Sequence, residues 1–507
     1  MDFIDSFLNR ITVYRLVLYG LGWLVASTII FAFLGWLPYT ALDLSLSVFI
    51  LLFAARASNG ACALFAKATP TPESAYITAL ILFFILAPLQ SAGDALILML
   101  AVAIAMISKY VLAPFKVLIF NPAAFAVFAL SIFASGVVVW WVATPLLLPL
   151  VILLGFLVVR KMRLASVCIL FLLAAMGVVL LKSFFMNAAP GTALIEFFFT
   201  TPIIFVGSLM LTEPQTMPST RGNRLAYGGL AGLLFPLSFT FATTFGTISS
   251  SPELALLIGN VYSFLVTRRR RYALRFSSLQ SFGRGAYEFF FISDTSFRFR
   301  AGQHVDITLA HPKRDTRGIR RSFSISSAPT DPFVRLTTTL PIESSTFKDA
   351  LRNLGKEATI SVTSASGELT LPPNHDQKIA YLAAGIGIAP FISIFRHLAL
   401  QGERRDMTLI YTAATPLDFF FYDEIESLKE GIGLRTVYLP TGFTELSDWS
   451  GSSGYLTNVF LQKEIADFEV RQWYLAGPDV LVRDYTHLLR KMGISGSSIK
   501  AEYFPGF

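Results

Sequence analysis

The sequence predicts a polytopic α-helical membrane domain of about ten spans, then a β-barrel lobe and an α/β lobe built on a parallel sheet. Three observations carry that expectation. Of the 507 residues 54% are hydrophobic and only 15% charged, where a soluble chain carries about a quarter charged. The deficit is confined to the first half. Residues 1–271 hold 16 Lys and Arg against 8 Asp and Glu, while the remaining 25 basic and 25 acidic residues balance. The hydrophobic period also changes, from long apolar runs to short alternating strands after Ser278, and to strand, glycine turn and helix after Lys378. The expected boundaries are 1–271 for the membrane domain, 272–373 for the barrel and 374–507 for the α/β lobe.

About 20 apolar residues cross a bilayer as a helix. Ten runs qualify: 15–36, 41–66, 75–90, 94–112, 119–136, 137–158, 164–182, 192–212, 224–244 and 251–266. With the N-terminus inside, the cytoplasmic loops hold Arg10 and Arg15, Lys67, Lys109 and Lys116, Arg160, Lys161 and Arg163, Arg221 and Arg224, and the run Arg268 to Arg271. Lys182 is then the basic residue left on the other side. This asymmetry predicts a bacterial-type inner (cell) membrane protein with both termini cytoplasmic. MDFIDSFLNR carries two acids and no cleavage-site pattern, so no removable signal peptide is expected.

Basic residues clustered between apolar runs account for the high pI through topology, and no nucleic-acid partner is expected. Two cysteines, Cys62 and Cys168, are too few for an iron–sulfur cluster, and all five histidines (His304, His311, His375, His397 and His487) lie in the second half, away from any transmembrane haem. No metal site is expected. Asp43, Asp94 and Glu196 are the nearest intramembrane carboxylates, which gives proton pumping little support. Arg56, within AARASNGAC, either faces a polar interior or snorkels from a helix end.

In the second half, AYEFFFIS, HVDITLA and VRLTTTL alternate as the strands of a small antiparallel barrel do. The polar linker LPPNHDQ at 371–377 separates them from KIAYLAAGIGIAPFISIFRHL, MTLIYTAA and RQWYLAGPDVLVRDYTHLL, whose alternation of strand and helix indicates a parallel sheet. Three motifs carry chemistry. RSFSISSAP places Arg321 beside alternating hydroxyls, a pattern that suits the pyrophosphate and ring edge of a flavin dinucleotide, although a serine-rich strand taken alone is more often a turn. Gly385 and Gly387, after strand IAYLAA and before a helix that starts near Pro390, let a pyrophosphate approach backbone and helix N-terminus. Ala476-Gly477-Pro478 ends a later strand, at the edge where α/β sheets bind ligands. Arg404 and Arg405 read as a solvated turn, and His304 and His397 as structural.

These residues carry a resemblance. RSFSISS resembles the Arg-x-Tyr-Ser-x-x-Ser signature of ferredoxin–NADP reductase-like modules, with Phe323 in place of the tyrosine. GIGIAP is similar to their nicotinamide-lobe glycine motif, AGP to their Cys-Gly-Pro, and EYFPGF to their Glu-x-Phe-x-Gly-aromatic ending. The resemblance implies that Arg321, Phe323, Ser324 and Ser327 hold FAD, with Ser344, Ser345 and Thr346 helping at its phosphates. It implies that Gly385, Gly387, Pro390, Gly477 and Pro478 frame NAD(P)H, and that Ser324, Glu502 and Phe507 lie at the flavin as the catalytic set. Ala476 replaces the cysteine near the hydride path, so slower transfer is expected. After LIYTA neither an acid nor an arginine selects NADH or NADPH, and that choice stays open.

In the first half, FNPAAFAVFAL (120–130) and MLTEPQTMPSTRGNRLAYGGLAGLL (210–234) resemble membrane components of the Rnf electron-transport complex and of the sodium-pumping NADH:quinone reductase, those that bind flavin among their helices. That resemblance implies FMN or riboflavin in the membrane domain. The nearest counterpart of the threonine that carries covalent FMN there is Thr144 in Trp141-Val142-Ala143-Thr144, which lacks the motif's glycine and any preceding acid. Noncovalent flavin would sit near Asn121, Glu213 and Thr220, unless TEPQTMPSTRGNR is only a hydrogen-bonded proline-rich loop. The expected function is a membrane-bound flavoprotein oxidoreductase, carrying electrons from NAD(P)H to FAD and on to a membrane flavin, a quinone or a partner redox protein. The alternatives are a redox-driven ion-translocating module and a membrane-anchored diaphorase that reduces soluble acceptors.

Overall fold

The computed structural model describes residues 8, 11–66, 72–114, 117–134, 136–243, 246–267, 270–282, 285–293, 297–309, 311, 319–340, 345–442, 449 and 451–504. Arg10, Lys67, Lys116, Arg268, Arg269, Ser344 and Phe507 lie outside the described residues. The chain divides into two compact units, Met1–Arg270 and Arg271–Phe507.

The first unit is helical: α1 (Val13–Phe33), α2 (Ala41–Phe65), α3 (Pro72–Ile85), α4 (Ala92–Val111), α5 (Pro122–Phe133), α6 (Leu148–Met162), α7 (Ala165–Phe185), α8 (Pro190–Thr200), α9 (Ile203–Met210), α10 (Arg221–Leu234) and α11 (Pro252–Thr267). A short hairpin, β1 (Thr240–Thr243) and β2 (Gly246–Ser249), precedes α11. The entry points follow local chemistry. Thr12, Thr40 and Thr220 cap α1, α2 and α10 through their hydroxyls, and Ser91 and Asp94 form a capping box at α4.

The expectation of ten spans is corrected. Among the described residues four helices, α1, α2, α4 and α7, are long and apolar enough to cross a bilayer, or five if α8 and α9, bent by 64° at Thr201-Pro202, count as one. The cause is backbone rather than composition. Proline opens α3, α5, α8 and α11 at positions 72, 122, 190 and 252, where it can begin a helix but not continue one. The apolar run at 137–158 becomes helical only from Leu148. At 1.5 Å per residue the 12 residues of α5 reach only about 18 Å, well short of a hydrocarbon core of about 30 Å.

One packing scheme occurs twice. In the first set α1 packs on α3, α2 on α3 and α4, and α4 on α5. In the second α6 packs on α9, α7 on α8 and α10, and α10 on α11. The two sets meet where α1 touches α6 and where α5 touches α11. The short helices α5 and α11 correspond, and each opens at a capping residue followed by proline, Asn121-Pro122 and Ser251-Pro252. Paired broken or shortened helices at a repeat interface are where membrane proteins place polar sites.

Close approach of α10 to α7 rests on glycines. A Cβ on Gly228 would lie 2.8 Å from the Val167 carbonyl oxygen, and one on Gly232 2.3 Å from that of Phe171. Backbone cannot yield as a side-chain tip can. Gly232→Ala is expected to destabilise the first unit by about 1–3 kcal/mol, read as a lowered melting temperature in detergent, with Gly222→Ala, which meets open space, unchanged.

The second unit begins with a six-stranded antiparallel sheet: β3 (Arg271–Ser281), β4 (Ala286–Ser293), β5 (His304–Thr308), β6 (Arg320–Ser324), β7 (Val334–Thr339) and β8 (Thr359–Thr363), with helix α12 (Thr346–Arg352) between β7 and β8. The order is β6-β5-β8-β3-β4-β7. An antiparallel bridge between Ile325 and Leu336 joins the two outer strands, which closes the barrel and removes its edges. Phe289, Phe291, Val305, Ile307, Ile360 and Val362 fill it.

The rest is a five-stranded parallel sheet, β9 (Ile379–Ala384), β10 (Met407–Ala413), β11 (Leu434–Pro440), β12 (Gln472–Pro478) and β13 (Ile499–Phe504), in the order β11-β10-β9-β12-β13. Helices α13 (Ala389–Gln401), α14 (Tyr422–Ile432), α15 (Asn458–Glu464) and α16 (Asp479–Lys491) connect the strands. Every residue of β9 and β10 is buried, as in a sheet covered on both faces. Strand order reverses between β9 and β12, and their carboxyl ends flank a topological switch point, where open α/β sheets take their ligands.

Candidate functional site

Two backbone turns meet at that switch point. After β9 the chain takes a 3₁₀ turn over Gly385–Ile388 and enters α13, with Pro390 at the second helical position. Gly385 has φ +54°, and its carbonyl accepts a hydrogen bond of 2.9 Å from the Tyr411 hydroxyl. Gly387 lies against the end of β12: a Cβ there would be 2.3 Å from the Ala476 carbonyl oxygen and 2.7 Å from Gly477 Cα. Pro478 is exposed at the start of α16. The five residues expected to frame a nucleotide, Gly385, Gly387, Pro390, Gly477 and Pro478, therefore share one sheet edge.

The opposite, amino edge holds a cleft of about 630 Å³ lined by charges. These charges pair with one another: Lys378 with Asp467 at 2.8 Å, Arg471 with Asp406 at 2.8 Å and with Asp467 at 2.7 Å. Hydrogen bonds from Arg471 come first among the causes that hold the Asp467 carboxyl at about 2. This edge is an ion-pair network. Arg405 belongs beside it. It is buried, donates to the Pro372 carbonyl at 2.9 Å and pairs with Glu403 at 2.5 Å. The expectation of a solvated turn holds for exposed Arg404 and is corrected for Arg405, which ties the linker to the sheet.

On the barrel, Arg321 lies half-buried on β6 with its guanidinium 5.2 Å from the ring centre of Phe347, and one of its nitrogens donates to the Arg320 carbonyl at 2.8 Å. Phe347 is fully buried and stacks on Phe323 at 6.0 Å. Ser345 spends its hydroxyl capping α12, accepting from Lys348 N at 3.3 Å, and the Thr346 hydroxyl lies 3.2 Å from His311 Nε2. Buried Ser324 pairs in register with His304 of β5. Ser327 is buried, and its hydroxyl accepts from Arg335 N at 3.1 Å.

The His304 ring bridges two other segments of the unit. Its Nε2 is 3.1 Å from the Ser366 hydroxyl, and its Nδ1 is 3.3 Å from a Glu502 carboxylate oxygen on β13. Both Glu502 oxygens are buried, and neither makes a well-aligned hydrogen bond. The ion-pair distance and that missing alignment describe one contact, close in charge but poorly directed. Glu502 and Ser324 thus flank the same histidine.

In the first unit the expected residues take different roles. Asn121 is buried, accepts from Ala123 N (3.1 Å) and Ala124 N (3.2 Å) through Oδ1, and donates its backbone N–H to Asn260 Oδ1 at 2.8 Å. Asn260 donates in turn to the Tyr227 hydroxyl at 2.9 Å. Glu213 accepts from the Tyr14 hydroxyl at 3.0 Å. Thr220 is an exposed helix cap, and the Thr144 hydroxyl is buried without a hydrogen-bond partner in the turn before α6. Arg56 is exposed along α2.

Residues 381–487 match the family model described as oxidoreductase NAD-binding domain. The sequence is 25% identical to the glycine betaine monooxygenase reductase subunit of Chromohalobacter salexigens over 41% of this chain and 56% of that protein. It is 25% identical to the reductase component of propane 2-monooxygenase of Rhodococcus jostii over 42% of this chain and 57% of that one. Among solved structures, a ferredoxin NADP+ reductase from Neisseria gonorrhoeae aligns at 23% identity and a TM-score of 0.39, over 47% of this chain and 99% of that one. The chain spans a little over half the length of these curated relatives. The sequence similarities support an oxidoreductase.

Proposed function

We propose that the chain is a membrane-bound flavoprotein oxidoreductase, in which the second unit takes electrons from NAD(P)H through FAD and the first unit receives them at a membrane flavin, a quinone or another acceptor. One observation carries this reading. A single helix, α13, starts at the glycine turn of the switch point and is hydrogen-bonded to the serine strand of the barrel, where the Ser393 hydroxyl donates to the Ser327 carbonyl at 2.6 Å. The two sites that a hydride would join are thus parts of one packed body.

The residues fit both groups. Gly385 has open space where a dinucleotide's phosphates would pass, Gly387 lets that turn pack against the end of β12, and Glu502 keeps two buried oxygens without aligned partners beside the serine strand. Bound FAD would convert a two-electron hydride into single electrons. Arg321 would neutralise its pyrophosphate, Phe323 would pack at its edge, and Ser324 with Glu502 would lie at the reacting ring.

Four long apolar helices and the basic clusters between apolar runs support an inner-membrane location with both termini cytoplasmic. The chain from Asn121 through Asn260 to Tyr227 joins the two helix sets at α5 and α11, and is a polar site in an apolar unit. It supports a second redox group there, FMN or riboflavin. Flavin identity and stoichiometry in the detergent-purified protein test the reading. The expected result is one FAD together with a second, acid-released flavin. FAD alone would make the first unit an anchor, and a protein without flavin would end the proposal.

A further inference from the structure

We propose that Arg396 is a positioning residue, which locks the nucleotide-side helix to the flavin-side strand and so fixes the separation across which hydride passes; this rests on the function proposed above. Arg396 lies on α13, nine residues beyond Gly387. Its side chain is only 10% exposed, and it meets three acceptors from three segments. One terminal nitrogen donates to Glu288 Oε1 on β4 at 2.8 Å and to the Ser326 carbonyl at 2.9 Å. The other terminal nitrogen and Nε grip both oxygens of Glu424 on α14, at 2.8 and 2.6 Å. The guanidinium also lies 5.4 Å from the Phe421 ring centre, and Phe421 packs on Phe282 at 4.7 Å.

The flavin-side end of this contact is organised in turn. Glu288 is 1% exposed and accepts from the Ser326 hydroxyl at 2.6 Å as well as from Arg396. One turn earlier on the same face of α13, Ser393 holds the next carbonyl, that of Ser327, and accepts from Gly302 N at 3.3 Å. Ser393 and Arg396 therefore grasp consecutive carbonyls of the segment that follows β6 in the motif expected to hold the flavin, from the helix that opens at the nucleotide turn.

Mere adhesion between lobes would not require this. Desolvation offsets much of what a buried ion pair gains, and an apolar contact of the same size stabilises as well. An apolar contact does not set direction. A guanidinium with four of its five N–H donors engaged by three residues fixes both the rotation and the height of α13 against Ser326. Burial alone would lower the Arg396 pKa, but its hydrogen bond with Glu424 and the charge of Glu288 outweigh burial and keep it firmly protonated. Reacting atoms must come within about 3–3.5 Å in a productive complex, and about 1 Å of misplacement costs about 100-fold. A clamp of this kind acts on rate rather than on affinity.

The test uses the full-length, detergent-purified protein and two variants: Arg396→Lys, which keeps charge and loses the fork, and Glu424→Gln, at the more exposed end of the contact. Anaerobic stopped-flow bleaching of the flavin by NADH gives a limiting rate and an apparent Kd. Amide hydrogen exchange reads the Ser326 N–H, which is bonded to the Arg335 carbonyl at 2.9 Å. For Arg396→Lys the expectation is full FAD, a Kd within about threefold of the wild type, a limiting rate at least about tenfold lower and faster exchange at Ser326. Glu424→Gln should move the same way by a smaller factor. An unchanged limiting rate in both variants, whether or not exchange quickens, overturns the inference and leaves Arg396 as adhesive. If Arg396→Lys loses its FAD, Glu424→Gln decides by the same criterion. A wild type that isolates without FAD or is not bleached by NADH or NADPH defeats the proposed function instead, so the two failures are distinguishable.

Discussion

Gly387→Val is expected to reduce kcat/KM for NAD(P)H about 100-fold while the protein keeps its FAD. The turn after β9 and the end of β12 are in backbone contact at this residue, and a side chain would start 2.3 Å from the Ala476 carbonyl oxygen. Carbon and oxygen need more than about 3 Å, so the two turns must part by about 1 Å, a displacement that costs about 100-fold when it falls on a binding edge. Gly387 sits in the turn leading into α13 and not on the serine strand, so flavin content should not change. Gly385→Ala is the control. That residue has φ +54° with open space around it, so alanine meets only the left-handed penalty of about 1–2 kcal/mol and no clash. Turnover by dye reduction and flavin content by absorbance check both variants. Equal activity of Gly387→Val and wild type would remove the switch point from the nucleotide site.

The sequence discloses this edge because its determinants are local. A buried strand, two glycines and a helix with proline in its first turn are adjacent in the chain, and the handedness of strand–helix–strand units leaves one edge for them. The barrel is legible for the same reason, through alternation. Two features escape. Apolarity reports burial in lipid or in protein alike, so a count of apolar residues cannot separate a spanning helix from the shorter α5 or α11. The prolines at 122, 190, 202 and 252 mark those breaks, and the duplicated packing scheme emerges only from which helices touch. Arg405 reads from sequence as part of a solvated turn, and nothing in the sequence singles out Arg396. Arg396 is instead defined by Glu288, 108 residues away in the chain, and no periodicity carries a signal over that separation. The sequence also does not show that the Ser345 and Asn121 side chains cap helices.

Arg321→Ala is expected to weaken FAD binding by about 100-fold or more. The guanidinium is preset: Phe347 is immobilised by its stacking on Phe323, and Arg321 lies over Phe347 with one N–H fixed on the Arg320 carbonyl. A preset fork loses little side-chain freedom when it takes a pyrophosphate and offers two parallel hydrogen bonds to it. Hydrogen bonds to charged groups contribute about 1.5–3 kcal/mol each, so losing two exceeds the roughly 2.8 kcal/mol that corresponds to 100-fold. Arg321→Lys retains charge without the fork and should recover about half of that loss on a logarithmic scale. The measurement is reconstitution of flavin-stripped protein, followed by fluorescence quenching of added FAD. FMN serves as the comparison ligand, because it has a single phosphate and no pyrophosphate for the fork to span. If Arg321 acts on the pyrophosphate, the substitution should weaken FAD far more than FMN at the same site. Equal weakening of both would mean that the side chain supports the strand through Phe347 rather than the cofactor through its charge.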